Sequence, residues 1–333
     1  MGPDLATDGG TVMVTGVAGF IGSHLAEALV AGGHEVIGVD RRPPKDPLVR
    51  QNLVGLLDHP RFRYEPVDIA DGAMLRLLMP VQVVFHLAAA TGVRSSWGER
   101  FREYASSNVL GTQMLLEYCA TVGVPRMVLA SSSSVYGEAV VLPMREEGPV
   151  WPLSPYGVTK LAAEQLALAY ALQDDAPTSV VALRYFTVYG PRQRPDMVIA
   201  RMFQAVLTGT PVEVYGDGSQ RRSFTYVDDV VRATVRAATM EAHAEVINIA
   251  GDQSTSLAEL RNLIEQVTGQ PVPTLARGRH LGDVAATEGD NGKAEHVLDY
   301  HPLTPLAEGL ARQWRWLIAH PNPSLLVLPG RTS

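Results

Sequence analysis

The sequence predicts an α/β fold: a doubly wound parallel sheet followed by a smaller C-terminal α/β domain. Three observations carry this. Short apolar, β-branched runs alternate with helical patterns from Thr11 to Tyr185. The runs are continuously apolar, as strands covered on both faces are. A glycine-rich turn joins the first run to the first helical pattern, as nucleotide-binding βαβ units require.

Taken in order, the strands are Thr11–Thr15, His34–Asp40, Phe62–Val67, Val81–Ala88, Arg126–Ser131 and Ser179–Tyr185. Phe20–Ala31 has helical spacing through Ile21, Leu25, Ala28 and Leu29. Further helical patterns cover Asp71–Leu78, Phe101–Val122 and Pro155–Leu172. Beyond Thr187 the alternation loosens into helices at Met197–Thr208, Val227–Met240, Leu257–Thr268 and Leu306–Ala319, with strands at Val212–Tyr215 and Val246–Ala250. The expected division is therefore a dinucleotide-binding domain at 1–186, with 225–250 returning to it. A substrate domain takes 187–224 and 251–320, and 321–333 is a Pro-rich tail.

The 333 residues carry a net charge of −7, which argues against the basic face that nucleic-acid binding needs. No stretch approaches the ~20 apolar residues of a membrane span. Met1–Gly10 lacks the pattern of a secretory signal. The single cysteine, Cys119, lies in a helical run and reads as a core thiol. With no disulfide possible within the chain, a cytoplasmic setting is expected. No metal-ligand spacing stands out. Only Lys45, Lys160 and Lys293 are lysines, among 28 basic residues, so Lys160 draws notice.

Thr15-Gly16-Val17-Ala18-Gly19-Phe20-Ile21-Gly22 lies between strand and helix. Gly16 permits a tight turn, Gly19 lets backbone amides approach a pyrophosphate, and Gly22 lets the helix pack on the strand. The spacing is G-x-x-G-x-x-G. Asp40 ends the next strand, 18 residues past Gly22. An acid there accepts hydrogen bonds from adenosine ribose hydroxyls and repels the extra phosphate of NADP. This Rossmann-type pattern points to NAD, with Arg41 and Arg42 keeping NADP open. Asp68 has two readings, a contact to the adenine edge and a turn cap.

Tyr156 and Lys160 stand four apart at the start of a helical pattern, so they share a face. An ammonium beside a phenol is expected to lower its pKa from about 10, making a general base near neutrality. Ser131–Ser134 follows the fifth strand, at the sheet edge where ligands bind; a serine there either bridges a substrate hydroxyl to Tyr156 or belongs to a polar loop capping the strand.

Together these elements resemble the extended short-chain dehydrogenase/reductases, specifically their nucleotide-sugar epimerase/dehydratase branch. The resemblance runs from Thr11 to about Leu317 through TGVAGFIG, HLAA (His86–Ala89), SSSSVYG, YGVTK, RYFTVYGPRQRPDM (Arg184–Met197), GDGSQRRSFTYVDD (Gly216–Asp229) and GDV (Gly282–Val284). It implies an NAD enzyme in which Tyr156 is the base, Lys160 holds the nicotinamide ribose, and Ser132 holds the reacting hydroxyl. It places Phe20, Ile21, Arg41, Asp68, Ile69, Leu87, Ala88, Ala89 and Tyr185 beside the dinucleotide. It further implies a homodimer through a four-helix interface formed by Phe101–Val122 and Pro155–Leu172.

The family's shared step oxidises the sugar's 4-hydroxyl. Dehydratases carry an Asp-Glu pair after the active-site hydroxyl residue, and decarboxylases a Glu. Here Ser133 and Ser134 stand instead. That favours rotation of a keto-sugar and its reduction on the other face, a 4-epimerisation. Thr187 replaces the Asn usual in simple 4-epimerases and resembles the pattern of UDP-glucuronate 4-epimerases. Ser133, Ser134 and Thr187 offer hydroxyls to a sugar carboxylate, and Arg194 is a candidate to position the sugar. Arg222, Arg279 and Asp283 match positions that hold the nucleotide, although Ser223 stands where the family has Asp. Tyr215 reads as a uracil stack or a core aromatic, and Arg94 as a further substrate contact. His86 reads as structural. Neutral UDP-sugars remain the rival substrates, and an NAD-binding protein without catalysis is the rival class.

Overall fold

A computed structural model describes residues 10–75, 78–138, 141–278 and 284–320. Its centre is a seven-stranded, all-parallel sheet. The strands are β1 (Thr11–Thr15), β2 (Glu35–Val39), β3 (Phe62–Glu65), β4 (Val83–His86), β5 (Arg126–Ser132), β6 (Ser179–Tyr185) and, after an excursion, β11 (Ala244–Ile249). Their spatial order is β11-β6-β5-β4-β1-β2-β3. The order reverses between β1 and β4, which opens a crevice at the carboxyl ends of those two strands.

Alternate residues of each strand feed two cores, as period 2 demands. Val12, Val14, Phe85, Val128, Val181 and Leu183 pack with Leu25, Leu29 and Val230 on one face. Met13, Val84, Met127, Leu129, Val180 and Ala182 pack with Leu115, Leu116, Cys119 and Ala167 on the other. Cys119 is fully buried there, which pushes its thiol up to about 12.

The excursion builds three small sheets. β7 (Val188–Tyr189) pairs with β10 (Thr225–Tyr226). β8 (Val212–Tyr215) pairs with β13 (Thr274–Arg277). β9 (Arg221–Ser223) lies between β12 (Ser254–Ser256) and β14 (Ala286–Thr287). The helix Val227–Ala237 leads the chain back to β11, which pairs with β6.

Several boundaries differ from expectation. The Phe101–Val122 pattern is interrupted by a π-helical segment, Ala105–Leu110. The helix expected at Asp71–Leu78 is seen at Gly72–Leu75, with 76 and 77 outside the described residues. Pro47–Asn52 is a short helix the sequence reading passed over, although Asp46 caps it and Pro47 opens it. The expected tail, 321–333, lies outside the described residues. Among the described residues no helix is long and apolar enough to cross a membrane.

Candidate active site

The turn after β1 builds one end of the crevice. Gly16 has φ +69, and a Cβ there would lie 2.8 Å from the Ala88 backbone beyond β4. A Cβ on Gly22 would lie 2.3 Å from the Gly16 carbonyl. The turn is thus closed to side chains. Gly19 starts the helix Phe20–Ala31 and has no side chain to cap it, so the free N–H groups of the first turn face the cleft.

A buried network staples this turn to the neighbouring strand. The Thr15 hydroxyl accepts from the Leu87 and Ala88 amides at 3.2 Å and is hydrogen-bonded to His86 Nδ1 at 2.8 Å. His86 Nε2 meets the Thr112 hydroxyl at 2.9 Å, and that hydroxyl donates to the Asn108 carbonyl at 2.6 Å. Burial, aided by Lys160, lowers the His86 pKa to about 3, so the ring is neutral and structural, as read.

Asp40 is buried at the end of β2 and accepts from the Ala18 amide and from Arg42. Arg41 is paired with Glu103 at 2.7 Å. The two arginines that left NADP open are thus each engaged with a carboxylate. Asp68 accepts from the Ala70 amide at 3.0 Å, a turn cap, and it also lines the cleft.

The helix Pro155–Ala171, which carries Tyr156 and Lys160, begins with Ser154 as its cap, accepting from the Gly157 amide, and Pro155 in its first turn. Gly157 allows the helix to meet the serine turn: a Cβ there would lie 2.5 Å from the Ser134 carbonyl. Ser132 Oγ accepts from the Ser134 amide at 3.1 Å and lies beside the Tyr156 phenol, where it favours the ionised form. Tyr156 packs edge-on against Tyr104, with ring centroids 6.3 Å apart.

The electrostatics depart from expectation. Burial pushes the Tyr156 phenol above its ordinary pKa, while the Ser132 hydroxyl and the Arg194 guanidinium pull it back. The Lys160 ammonium donates to the Ala130 carbonyl at 2.6 Å, and burial lowers its own pKa to about 8. The expectation of a lowered phenol pKa is not met in the protein by itself: burial raises it, and the Arg194 guanidinium offsets that only in part.

Arg194 forms a fork with Asp196 at 2.9 and 2.8 Å and donates to the Thr91 hydroxyl. Its loop is pinned by Arg192, in ion pair with Glu27 at 2.5 Å, and by Gln313, which bonds Gly190 and Gln193. Across the cleft the Arg94 guanidinium lies 4.1 Å from the centre of the Tyr215 ring, so one face of that ring is covered. Arg222 donates to the Val284 and Arg221 carbonyls, main-chain support where the family's Asp is replaced by Ser223.

Ser132, Ser133, Ser134, Tyr156, Lys160, Tyr185, Thr187, Arg194, Arg94, Tyr215 and Arg222 line one cleft of about 1560 Å³. Gly16, Gly19, Phe20, Ile21, Gly22, Asp40, Arg41, Ile69, Leu87, Ala88 and Ala89 line its other end. Arg279 and Asp283 lie outside the described residues. The sequence reading missed Asn108. Its amide side chain, within the π segment, accepts from the Ala90 amide and donates to the Ala90 carbonyl and the Thr159 hydroxyl, tying the loop after β4 to the helix Pro155–Ala171. Its one sequence signal is a polar residue inside an apolar helical pattern.

Residues 12–250 match the NAD dependent epimerase/dehydratase family. The chain belongs to that family. It is 41% identical, over 92% of this chain and 97% of the relative, to an uncharacterized UDP-glucose epimerase, YtcB, of Bacillus subtilis. Among solved structures it resembles MoeE5 in complex with UDP-glucose and NAD, with a TM-score of 0.86 and 47% identity over 93% and 99% of the two chains. It also resembles the UDP-glucuronic acid 4-epimerase of Bacillus cereus in complex with UDP-glucuronic acid and NAD, with a TM-score of 0.87 and 38% identity over 93% and 99%. This epimerase-family chain is therefore an enzyme that uses NAD. Its own residues fit the cofactor: a turn whose Gly16 and Gly22 admit no side chain and an open helix N-terminus suit the pyrophosphate, and the buried carboxylate of Asp40 suits ribose hydroxyls.

Proposed function

We propose that the chain interconverts UDP-glucuronate and UDP-galacturonate by 4-epimerisation. One observation carries the choice of reaction and sugar: the cleft beside Tyr156 presents the hydroxyls of Ser133, Ser134 and Thr187, with no carboxylate at 133 or 134 for elimination.

Bound along the glycine turn, NAD supplies the hydride acceptor and donor. Tyr156, bridged by Ser132, would take the proton of the sugar's 4-hydroxyl as hydride leaves carbon 4, and would give a proton back to the 4-oxygen when hydride returns to the opposite face of the turned keto-sugar. Burial holds the phenol above its ordinary pKa despite Arg194, so it acts as a base once further positive charge in the loaded cleft offsets that burial. Oxidation at carbon 4 makes a β-keto acid of glucuronate, which loses carbon dioxide when its carboxylate aligns with the carbonyl π system. Hydroxyl donors from Ser133, Ser134 and Thr187 hold the carboxylate out of that alignment. Arg194, tied to Asp196, orients the sugar. We assign 187–224 and 251–320 to the nucleotide-sugar side of the cleft. The exposed Phe101, Leu110, Val158 and Leu172 on the two long helices support a homodimer through them.

Incubation with UDP-glucuronate should yield UDP-galacturonate without added reductant. Carbon dioxide release with a UDP-pentose product would instead make it a decarboxylase. Faster conversion of UDP-glucose to UDP-galactose would overturn the glucuronate assignment.

A further inference from the structure

Behind the catalytic residues, away from substrate, lies a fully buried ion pair. Glu164 Oε1 accepts from Arg184 Nη2 at 2.7 Å, and Oε2 accepts from Arg184 Nε at 3.0 Å. Glu164 is inaccessible to solvent and Arg184 nearly so. Oε2 also accepts from the Ser131 hydroxyl at 2.6 Å. Arg184 donates onward to the Tyr136 hydroxyl at 2.8 Å, which donates to Asn248 Oδ1 at 2.7 Å. A buried ion pair is a poor stabiliser, since replacing both charges costs little or nothing. Its position is more telling. Glu164 stands one turn after Lys160 on the same helix, and Ser131 stands between Ala130, which holds Lys160, and Ser132, which lies beside Tyr156. Arg184 precedes Thr187 by three residues as β6 enters the cleft.

We propose that Glu164 is a positioning residue: its carboxylate locks the catalytic helix to β5 and β6 and keeps the Lys160 ammonium charged on the Ala130 carbonyl. This rests on the assignment of Lys160 and Tyr156 to the oxidation step. The groups that meet Lys160 are Glu164 on its own helix, His86 from β4 and the Ala130 carbonyl from β5, with the Arg184 guanidinium of β6 behind Glu164. His86 is neutral, so Glu164 is the anion that offsets burial of the ammonium.

The scarcity of lysine makes a direct test possible. In NAD-loaded protein labelled with ε-¹³C-lysine, three signals titrate, and Lys160→Arg identifies the third. In E164Q, which keeps the shape and loses the charge, the Lys160 midpoint should fall by about one unit, a tenfold change in its protonation equilibrium. The double variant E164Q/R184Q removes both buried charges and should fall between E164Q and wild type, which keeps the test available where E164Q does not fold. In both, kcat at pH 8 should drop about three- to tenfold relative to pH 6.5, with KM for the UDP-sugar within about twofold. A wild-type Lys160 midpoint in a folded variant would overturn the proposal. A shifted midpoint in protein that turns over no UDP-sugar would leave Glu164's role standing and remove the functional reading instead.

Discussion

The two ends of the cleft are built on different principles. The dinucleotide end is backbone: a glycine turn, a helix N-terminus and strand ends held by a buried Thr15–His86–Thr112 chain. The sugar end is side chain: Arg194 on Asp196, Arg192 on Glu27, and Arg94 over Tyr215. A backbone site cannot adjust without moving the sheet, which suits a cofactor retained through the catalytic cycle. A side-chain site can repack around different sugars, which suits a family whose members act on several. Substitutions should separate the two, by size of effect and by which constant moves.

The largest effect belongs where the ends meet. Tyr156→Phe removes the one proton acceptor next to Ser132 and keeps the ring packed against Tyr104. Turnover should fall on the order of 10³-fold, the usual worth of a positioned base, while the affinities for NAD and UDP-sugar change little. A variant within about tenfold of wild-type kcat would show that another group moves the proton.

Gly22→Ala tests the backbone end. Its Cβ would sit 2.3 Å from the Gly16 carbonyl and 3.0 Å from the Val17 Cα, both main chain, so the helix must move away from β1. Stability should fall by about 1–3 kcal/mol, as overpacking does. NAD affinity should fall with it, by at least about tenfold, if a shift of the helix N-terminus spoils the anion site. Thermal unfolding and NAD titration of one preparation check both. Loss of stability with unchanged NAD affinity would break the claim that this end works through rigid backbone.

The same contrast decides what was legible in the chain. The dinucleotide end is made of local units, each a strand, turn and helix read from consecutive residues. Thr11–Thr15, Phe20–Ala31 and Ser179–Tyr185 accordingly match the structure residue for residue. At the sugar end Val212–Tyr215, Leu257–Thr268 and Leu306–Ala319 match as closely, and what escaped were the two- and three-residue strands whose partners lie far off: Val188–Tyr189 with Thr225–Tyr226, and Arg221–Ser223 between 254–256 and 286–287. Two residues have no period, so no pattern could reveal them. The Glu164–Arg184 pair was hidden for a related reason. Its partners sit on adjacent elements, and nothing in either stretch records the other's charge. The direction of the Tyr156 shift was misread because spacing reports which side chains share a helix face, not how much water they lose.

The smallest expected effect lies at the sugar end, at the Arg94–Tyr215 contact. Arg94 belongs to the loop after β4, and Tyr215 ends β8, so the contact spans the cleft mouth. A guanidinium over a ring contributes about 0.5–2 kcal/mol, depending on how far it is desolvated. The contact is already made in the protein by itself, so it holds the mouth in the shape that an incoming UDP-sugar meets. Arg94→Ala should therefore raise KM for the UDP-sugar by about 2- to 30-fold, the same energy expressed as a ratio, with kcat and NAD affinity near wild type. Unfolding stability should fall by no more than about 1 kcal/mol, the worth of an exposed cation–ring pair. A fall in kcat with constant KM would mean that Arg94 acts on the reacting sugar and not on the mouth. The sugar end would then share the fixed geometry of the dinucleotide end, and the contrast between the two would narrow to the nucleotide alone.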